Sequence, residues 1–386
     1  MRPLRVLLYV QHLLGIGHLV RASRIASALK GAGFDIAMVI GGVPVSGFPD
    51  DDIEVIALPP LKTAPGFSAL LDAHDQVVSQ EAKERRRGLL LSALRSFRPQ
   101  IVITEAFPFG RRQMQFELVP MIELAYQLRP RPLIVSSIRD ILQEQIKPAR
   151  SEETLRIVQD YFDLVLVHGD PVFSRIEETF PLAAHFAEKI AYTGLVARTG
   201  PAEMGEHFDI VVSAGGGAAG GRLIKDTISA AGLLPKSLRW CVITGPNLPP
   251  EKFQLPGPPS NLEIFAFRTD FPALLKSAEL SISQAGYNTV CDILRANCRS
   301  LLVPFAEDGE TEQTTRASRL QTLGLAQVLP EHNLSPKTLI ETIGRALQAK
   351  PPAGNRLDLE GAQHTAEILK KRLEQLPRSM LTSLDK

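Results

Sequence analysis

The sequence predicts an α/β chain of two domains that share one architecture, a parallel sheet covered on both faces. Three observations carry that expectation. Short apolar runs alternate with helix-length amphipathic stretches along most of the chain. Several of those runs end in a glycine or polar corner, as at Gly15-Ile16-Gly17-His18, Ser213 to Gly221 and Gln284-Ala285-Gly286. The length, 386 residues, exceeds what one core ordinarily organises.

In order, the pattern predicts strands at 5–10, 34–40 and 53–58, with a helix opening at the first glycine turn. Helix 89–97, strand 100–104, helix 113–128, and strands 133–137 and 163–167 continue the alternation. Residues 191–205 hold Gly194, Gly200, Pro201 and Gly205 with little apolar periodicity, and read as a break. Strands then recur at 209–213, 239–244, 262–267, 280–283, 301–304 and 326–329, with late helices at 336–347 and 357–376. The expected organisation is a first domain over 1–195, a linker at 196–206 and a second domain over 207–356. A C-terminal helix and tail over 357–386 is expected to pack back on the first domain.

Composition narrows the function classes. With 43 basic and 42 acidic residues, the net charge of +1 leaves no electrostatic footprint for nucleic acid. Three cysteines, Cys241, Cys291 and Cys298, make neither a disulfide framework nor a zinc spacing, so a reducing cytoplasmic setting is expected. The apolar run Val6 to Val10 is broken by Gln11 and His12 and reads as a first strand rather than a leader. No run approaches 18 apolar residues. Asp50-Asp51-Asp52 reads as a solvated turn. Arg85-Arg86-Arg87 reads as a solvated helix face, while Arg111-Arg112 lies nearer the rim, where an anionic acceptor would meet it.

Chemistry concentrates where strands end. In open α/β sheets, ligands bind outside the carboxyl ends of the strands. His18 opens the first helix, and a helix N-terminus opposes positive charge, favouring a neutral imidazole able to take a proton. Glu105, Asp140, His168 and Asp170 follow strands on the same rim. Residue types do not rank them as partners of His18. Asp140, in a strand-Arg-Asp context, is the first to test. The loop Ser213 to Gly221 offers backbone N–H groups to an anion at a helix start but lacks the Gly-Lys-Ser/Thr of a P-loop. Gln284, Asn288, Thr289 and Asp292 surround a further helix start. Asn288 or Thr289 is placed to cap it and bond phosphate, and Asp292 to accept from a ribose diol. Glu312 and Gln313 open the helix after that.

The stretch Ser281-Ile-Ser-Gln-Ala-Gly-Tyr-Asn-Thr-Val-Cys-Asp292, followed by Leu302-Val-Pro-Phe305 and Glu312-Gln313…Arg316-Ala317, resembles the donor-binding signature of the family-28 glycosyltransferases. That family includes the N-acetylglucosaminyltransferase of peptidoglycan synthesis. The resemblance spans roughly 208 to 320 most strongly, and Gly15-Ile16-Gly17-His18 is similar to the family's first glycine loop and its His. It implies the GT-B fold, two Rossmann-like domains facing a central cleft. It also implies Gly17 at the first loop, Gly215, Gly216 and Gly217 on a diphosphate, and Arg268 near the base. Gly286 and Thr289 would lie on phosphate, Asp292 on ribose, and Gln313, beside Glu312, at the donor sugar. Asp292 stands where the family has Glu, and Glu312 where the peptidoglycan enzyme has Gln. The acceptor loop of that enzyme has no counterpart here, so the chain is read as a relative of it.

The expected activity is inverting transfer of a hexose-type sugar from a nucleotide-diphosphate donor, a UDP-sugar by resemblance, to a hydroxyl acceptor. His18 is the expected base and Asp140 its expected orienter. No cofactor or metal is required. A lipid-linked acceptor and peripheral contact with the inner membrane surface are compatible with the family, and so is a role in polysaccharide or glycoconjugate synthesis. A sugar-nucleotide hydrolase or 2-epimerase on the same fold is the alternative, and would act on the donor alone. A non-catalytic nucleotide-sugar-binding subunit is a further one, and would tolerate replacement of His18.

Overall fold

The structure, a computed structural model, describes residues 3–13, 15–64, 69–143, 148–198, 204–216, 220–253, 259–307, 309–352, 354 and 356–375. The chain divides into two compact units, residues 1–196 with 360–386, and residues 197–359.

The first unit is built on β1 (Arg5–Val10), β2 (Asp35–Ile40), β3 (Glu54–Ala57), β6 (Ile101–Glu105), β7 (Leu133–Arg139), β8 (Leu164–His168) and β9 (Ile190–Tyr192). They form one sheet in the order β3-β2-β1-β6-β7-β8-β9, every pairing parallel. β4 (Lys62–Thr63) and β5 (Leu70–Leu71) make a separate antiparallel hairpin. Strands buried on both faces read as continuous apolar runs, which is why Val6 to Val10 and Ile101 to Ile103 are fully enclosed. The helices are α1 (Gly17–Gly31), α2 (Gln80–Phe97), α3 (Gln115–Gln127), α4 (Pro148–Tyr161) and, after the second unit, α10 (Gly361–Glu374). α10 packs on α1, and Lys370 Nζ donates to the Ala32 carbonyl at 2.6 Å.

Two helices differ from the sequence expectation for identifiable reasons. α2 starts at Gln80 rather than 89, because the Ser79 side chain accepts from Ala82 N at 3.1 Å and nucleates the charged turn that follows. α4 has no counterpart in the expected pattern, since only Thr154 and Val158 are buried along its 14 residues and its apolar stripe is thin. The solvated face at 85–87 is corrected at its centre. Arg86 is 1% exposed, and its Nε donates to Glu117 Oε2 at 2.7 Å while Nη2 donates to Gln11 Oε1 at 2.6 Å and Glu117 Oε1 at 3.0 Å. Tyr9 Oη joins the same carboxylate at 2.5 Å. This cluster ties α2 and α3 to the end of β1 through hydrogen-bonded charge.

The second unit holds β10 (Ile210–Ser213), β11 (Trp240–Ile243), β12 (Leu262–Phe265), β13 (Leu280–Ser283), β14 (Ser300–Leu302) and β15 (Gln327–Val328). Their order, β12-β11-β10-β13-β14-β15, is again wholly parallel. Its helices are α5 (Gly221–Leu233), α6 (Phe271–Ser277), α7 (Tyr287–Ala296), α8 (Glu312–Thr322) and α9 (Pro336–Gln348). In both units the order reverses beside the first strand, at β1/β6 and at β10/β13. Such a switch point is where an open α/β sheet opens a crevice for ligand. No helix among the described residues is long and apolar enough to cross a membrane.

Candidate active site

At the β1/β6 switch point, α1 begins at Gly17 with no side-chain cap and no acidic residue in its first turn. His18 is its second residue. The side chain is largely enclosed, 17% exposed, and Nδ1 lies 3.0 Å from Glu105 Oε1. Arg21 Nη2 also stands 3.4 Å from Nδ1, but it pairs with the same carboxylate oxygen, and Oε1, at the shorter distance, accepts the Nδ1 hydrogen and leaves the lone pair on Nε2. Among the described residues Nε2 makes no hydrogen bond. Burial holds the His18 pKa well below its usual value, and Arg111, Arg21, Arg139 and His12 push it the same way. The ring is therefore a neutral base at neutral pH. Burial leads this shift, where the sequence pointed to the helix dipole.

Glu105 ends β6 and is itself fully buried. Arg21, one turn beyond His18 on α1, forms an ion pair with its Oε1, and Ser137 Oγ donates to Oε2 at 2.7 Å. Both carboxylate oxygens are thus committed. The carboxylate that faces His18 is Glu105 and not the expected Asp140. Asp140 follows β7, one strand farther from β1, and its Oδ1 accepts from Ile141 N at 2.9 Å. The signal that separates them is strand order. In a doubly wound sheet the strand that returns beside β1 delivers its last residue to the helix that follows β1, and here that strand is β6. His168 lies in the same rim with its pKa pushed down to about 3, mostly by burial. Asp170 caps its own turn, accepting from Val172 N at 2.8 Å.

At the β10/β13 switch point two corners lie side by side. Gly215 has φ +75° and Gly220, which precedes α5, has φ +111°. Ser213 Oγ accepts from Gly215 N at 3.2 Å, and Asn247 Nδ2 donates to the Gly216 carbonyl at 2.9 Å. Gly217 lies outside the described residues. After β13, Gln284 N donates to Ser213 O at 3.2 Å, joining the corners. Gly286 is the N-cap of α7 with an extended backbone and open space where a Cβ would sit. Asn288 and Thr289 are therefore inside the first turn of α7, not at its cap. Asp292 follows one turn on and is 5% exposed.

At the opening of α8, Glu312 is buried and pairs with Arg316 Nη2 at 2.8 Å. Arg316 Nη1 donates to the Ala285 carbonyl at 3.0 Å. Gln313 Oε1 accepts from Ala285 N at 3.0 Å and Phe305 N at 3.2 Å, leaving its amide nitrogen unengaged among the described residues. Together Gln313 and Arg316 hold Ala285 by both its N–H and its carbonyl, which fixes the corner at Gly286. Arg268 is likewise committed, making a bidentate contact to Asp270 at 2.8 and 2.7 Å and lying over the Phe265 ring at 4.7 Å. The i,i+4 spacing of Glu312 and Arg316 is a sequence sign of that pair, and the Arg268–Asp270 pair is local to its own turn.

Residues 210–371 match the model of the glycosyltransferase family 28 C-terminal domain. An uncharacterized glycosyltransferase of Methanosarcina acetivorans is 22% identical over 349 residues, 86% of this chain and 88% of that protein. The UDP-N-acetylglucosamine–N-acetylmuramyl-(pentapeptide) pyrophosphoryl-undecaprenol N-acetylglucosamine transferase of Nitrosococcus oceani is 28% identical over 189 residues, 45% of this chain and 52% of that protein. Among solved structures, the calicheamicin glycosyltransferase CalG4 superposes with a TM-score of 0.65 at 17% identity, covering 97% of this chain and all of that one. MurG of Acinetobacter baumannii superposes at 0.55 with 15% identity, covering 96% and 100%. The fold is GT-B.

Proposed function

We propose a specific reaction for this chain, a glycosyltransferase that carries a family 28 C-terminal domain over residues 210–371: inverting transfer of a hexose-type sugar from a UDP-sugar to a hydroxyl acceptor. The observation that carries the reading is the His18–Glu105 pair, with Nδ1 held at 3.0 Å and Nε2 unbonded. Nε2 accepts the acceptor hydroxyl's proton as its oxygen bonds to the anomeric carbon. The bond from that carbon to the diphosphate oxygen breaks, and the electron pair leaves with UDP. Backbone N–H groups at the starts of α5 and α7 are suited to the charge that develops on the leaving diphosphate.

Three features support the donor class. The Nitrosococcus relative is named for a UDP-N-acetylglucosamine donor. Two glycine corners meet at one switch point. No side chain of the first turn of α5 or α7 is acidic, so nothing there repels phosphate. The pyrophosphoryl-undecaprenol in that relative's name makes a lipid-linked acceptor the first class to assay, together with peripheral membrane attachment.

The test is His18→Ala with a panel of UDP-sugars, read by thermal shift and by product stereochemistry. The expected result is a loss of transfer of ~10²–10⁴-fold with unchanged nucleotide affinity, and opposite anomeric configuration in the parent's product. Retained configuration, or full turnover without the imidazole, overturns the mechanism. UDP release independent of any acceptor, at the parent's full rate, would favour the hydrolase.

A further inference from the structure

Behind Glu105 the rim of the first sheet carries one polar side chain per strand. Glu105 ends β6, Ser137 lies opposite it on β7, His168 ends β8, and Thr193 follows β9. These four strands are neighbours in the sheet. Ser137 Oγ is 2.7 Å from Glu105 Oε2 and 2.9 Å from His168 Nε2, and His168 Nδ1 is 2.9 Å from Thr193 Oγ1. All four side chains are buried, at most 1% exposed.

The hydrogens in this row have one consistent assignment. Glu105 faces Arg21 and is a carboxylate, which only accepts. Ser137 must therefore give its single hydroxyl hydrogen to Oε2. Its oxygen then has only lone pairs to offer His168, so His168 carries its hydrogen on Nε2. A neutral His168 has a lone pair on Nδ1, and Thr193 donates to it, in competition with the Gly194 carbonyl at 2.8 Å. Donation runs His168 to Ser137 to Glu105, both steps toward the carboxylate, with Thr193 packed at 2.9 Å against the far side of His168. The backbone reinforces it, because Ala106 N donates to the Ser137 carbonyl at 2.8 Å, at a residue with φ +68°.

We infer that Ser137 and His168 are positioning residues for the transfer: the row Thr193–His168–Ser137 fixes the Glu105 carboxylate and, through it, the tautomer of His18. The inference rests on the proposed role of His18. Neither residue touches the reacting atoms. Without the donor at Oε2, the Glu105 carboxylate attracts the His18 proton more strongly, which moves loss of the free Nε2 lone pair to higher pH. The charged and titratable groups that act on His18 from the surrounding elements are Arg21, Arg111, Arg139 and His12, besides Glu105. Those acting on His168 are Arg21 and Glu105.

The experiment is an imidazole nitrogen NMR titration of the full chain labelled at histidine, with His18→Ala and His168→Gln used for assignment. In the parent, His18 is expected as the Nδ1–H tautomer, and His168 as the Nε2–H tautomer and neutral through pH 5. Ser137→Ala is expected to raise the His18 midpoint by about one pH unit, a tenfold change in its proton affinity. His168→Met is expected to do the same, and His168→Gln, which keeps an N–H donor, to restore most of the parent value. A parent His18 in the Nε2–H tautomer would overturn the base assignment itself. A parent Nδ1–H tautomer with a midpoint unmoved in Ser137→Ala and His168→Met would overturn the positioning row alone. Ser137→Ala deletes one oxygen, so it keeps the question open to measurement should His168→Met fail to fold.

Discussion

The two switch points use opposite kinds of chemistry. At β1/β6 the group proposed to act is a side chain: His18 faces Glu105 through Nδ1, and among the described residues its Nε2 makes no hydrogen bond. At β10/β13 several expected side chains are engaged within the protein: Glu312 pairs with Arg316, Arg268 with Asp270, and Gln313 Oε1 binds two backbone amides. The backbone at Gly215, Gly220 and Gly286 forms the corners there. Proton transfer needs a group with a tuned pKa, which only a side chain supplies. Binding a diphosphate needs several donors held at close approach, which backbone N–H groups at helix starts supply without side-chain entropy.

The strongest test of that contrast is Glu105→Gln. A neutral amide no longer dictates the Nδ1–H tautomer, and kcat is expected to fall by ~10²–10⁴-fold, in line with loss of an orienting carboxylate elsewhere. The same change leaves Arg21 buried without its counter-charge, and stability should drop by about 3–5 kcal/mol in urea denaturation. Asp140→Asn should leave the pH dependence of the reaction unchanged. If Asp140→Asn instead produces the large loss, the pairing at β1/β6 is wrong.

On the other side, Glu312→Gln should behave as a structural change. Removing half of a buried pair costs about 3 kcal/mol, and the double variant with Arg316→Met should recover much of it. The preference among UDP-sugars is expected to stay as in the parent. A switched sugar preference at unchanged stability would return Glu312 to the donor site and erase the contrast.

The fold was legible because its signals are local. The runs Val6 to Val10 and Ile210 to Ser213 are apolar over nearly their whole length, and each leads into a glycine corner whose meaning does not depend on distant residues. The place of His18 at the first glycine turn was legible for the same reason. The carboxylate facing it was not, since Glu105 and Asp140 sit in equivalent local contexts and only strand order separates them. Arg86 was misread because a charged residue in a charged run looks solvated, and the pairing of Glu312 was missed because its place was taken from the resemblance. Their burial follows from Glu117 and Arg316 arriving from elsewhere in the fold or from the next turn.

A smaller effect concerns pH and stability in the first unit. His168 has a folded-state pKa of about 3, against an unfolded value near 6.5. Below pH 6.5 the unfolded chain takes up a proton that the folded one refuses, so stability is lost as pH falls toward 3 and is intact above 6.5. The contribution is about 1.4 kcal/mol per pH unit over that window. His168→Gln should flatten this part of the profile in urea titrations at pH 5 and pH 7. An unchanged slope would mean that the imidazole is already protonated in the fold.

The gentlest probe separates backbone that only turns from backbone that meets a ligand. At Gly220 an added Cβ would stand 2.8 Å from the Ala214 Cβ at φ +111°, so Gly220→Ala is both crowded and strained. At Gly215 the nearest atom would be Gln284 Oε1 at 3.7 Å, so Gly215→Ala carries mainly the positive-φ penalty of about 1–2 kcal/mol. At Gly286 the backbone is extended and nothing lies within 4 Å of the added atom. Gly286→Ala should therefore stay within about 1 kcal/mol of parent stability, the range of an N-cap exchange. A new methyl group in that space can be felt only by something that occupies it. A drop of about tenfold in UDP affinity by calorimetry, at near-parent stability, would put the diphosphate against the start of α7. Unchanged affinity would move it off this corner and leave the glycines of the β10 loop to bind it alone.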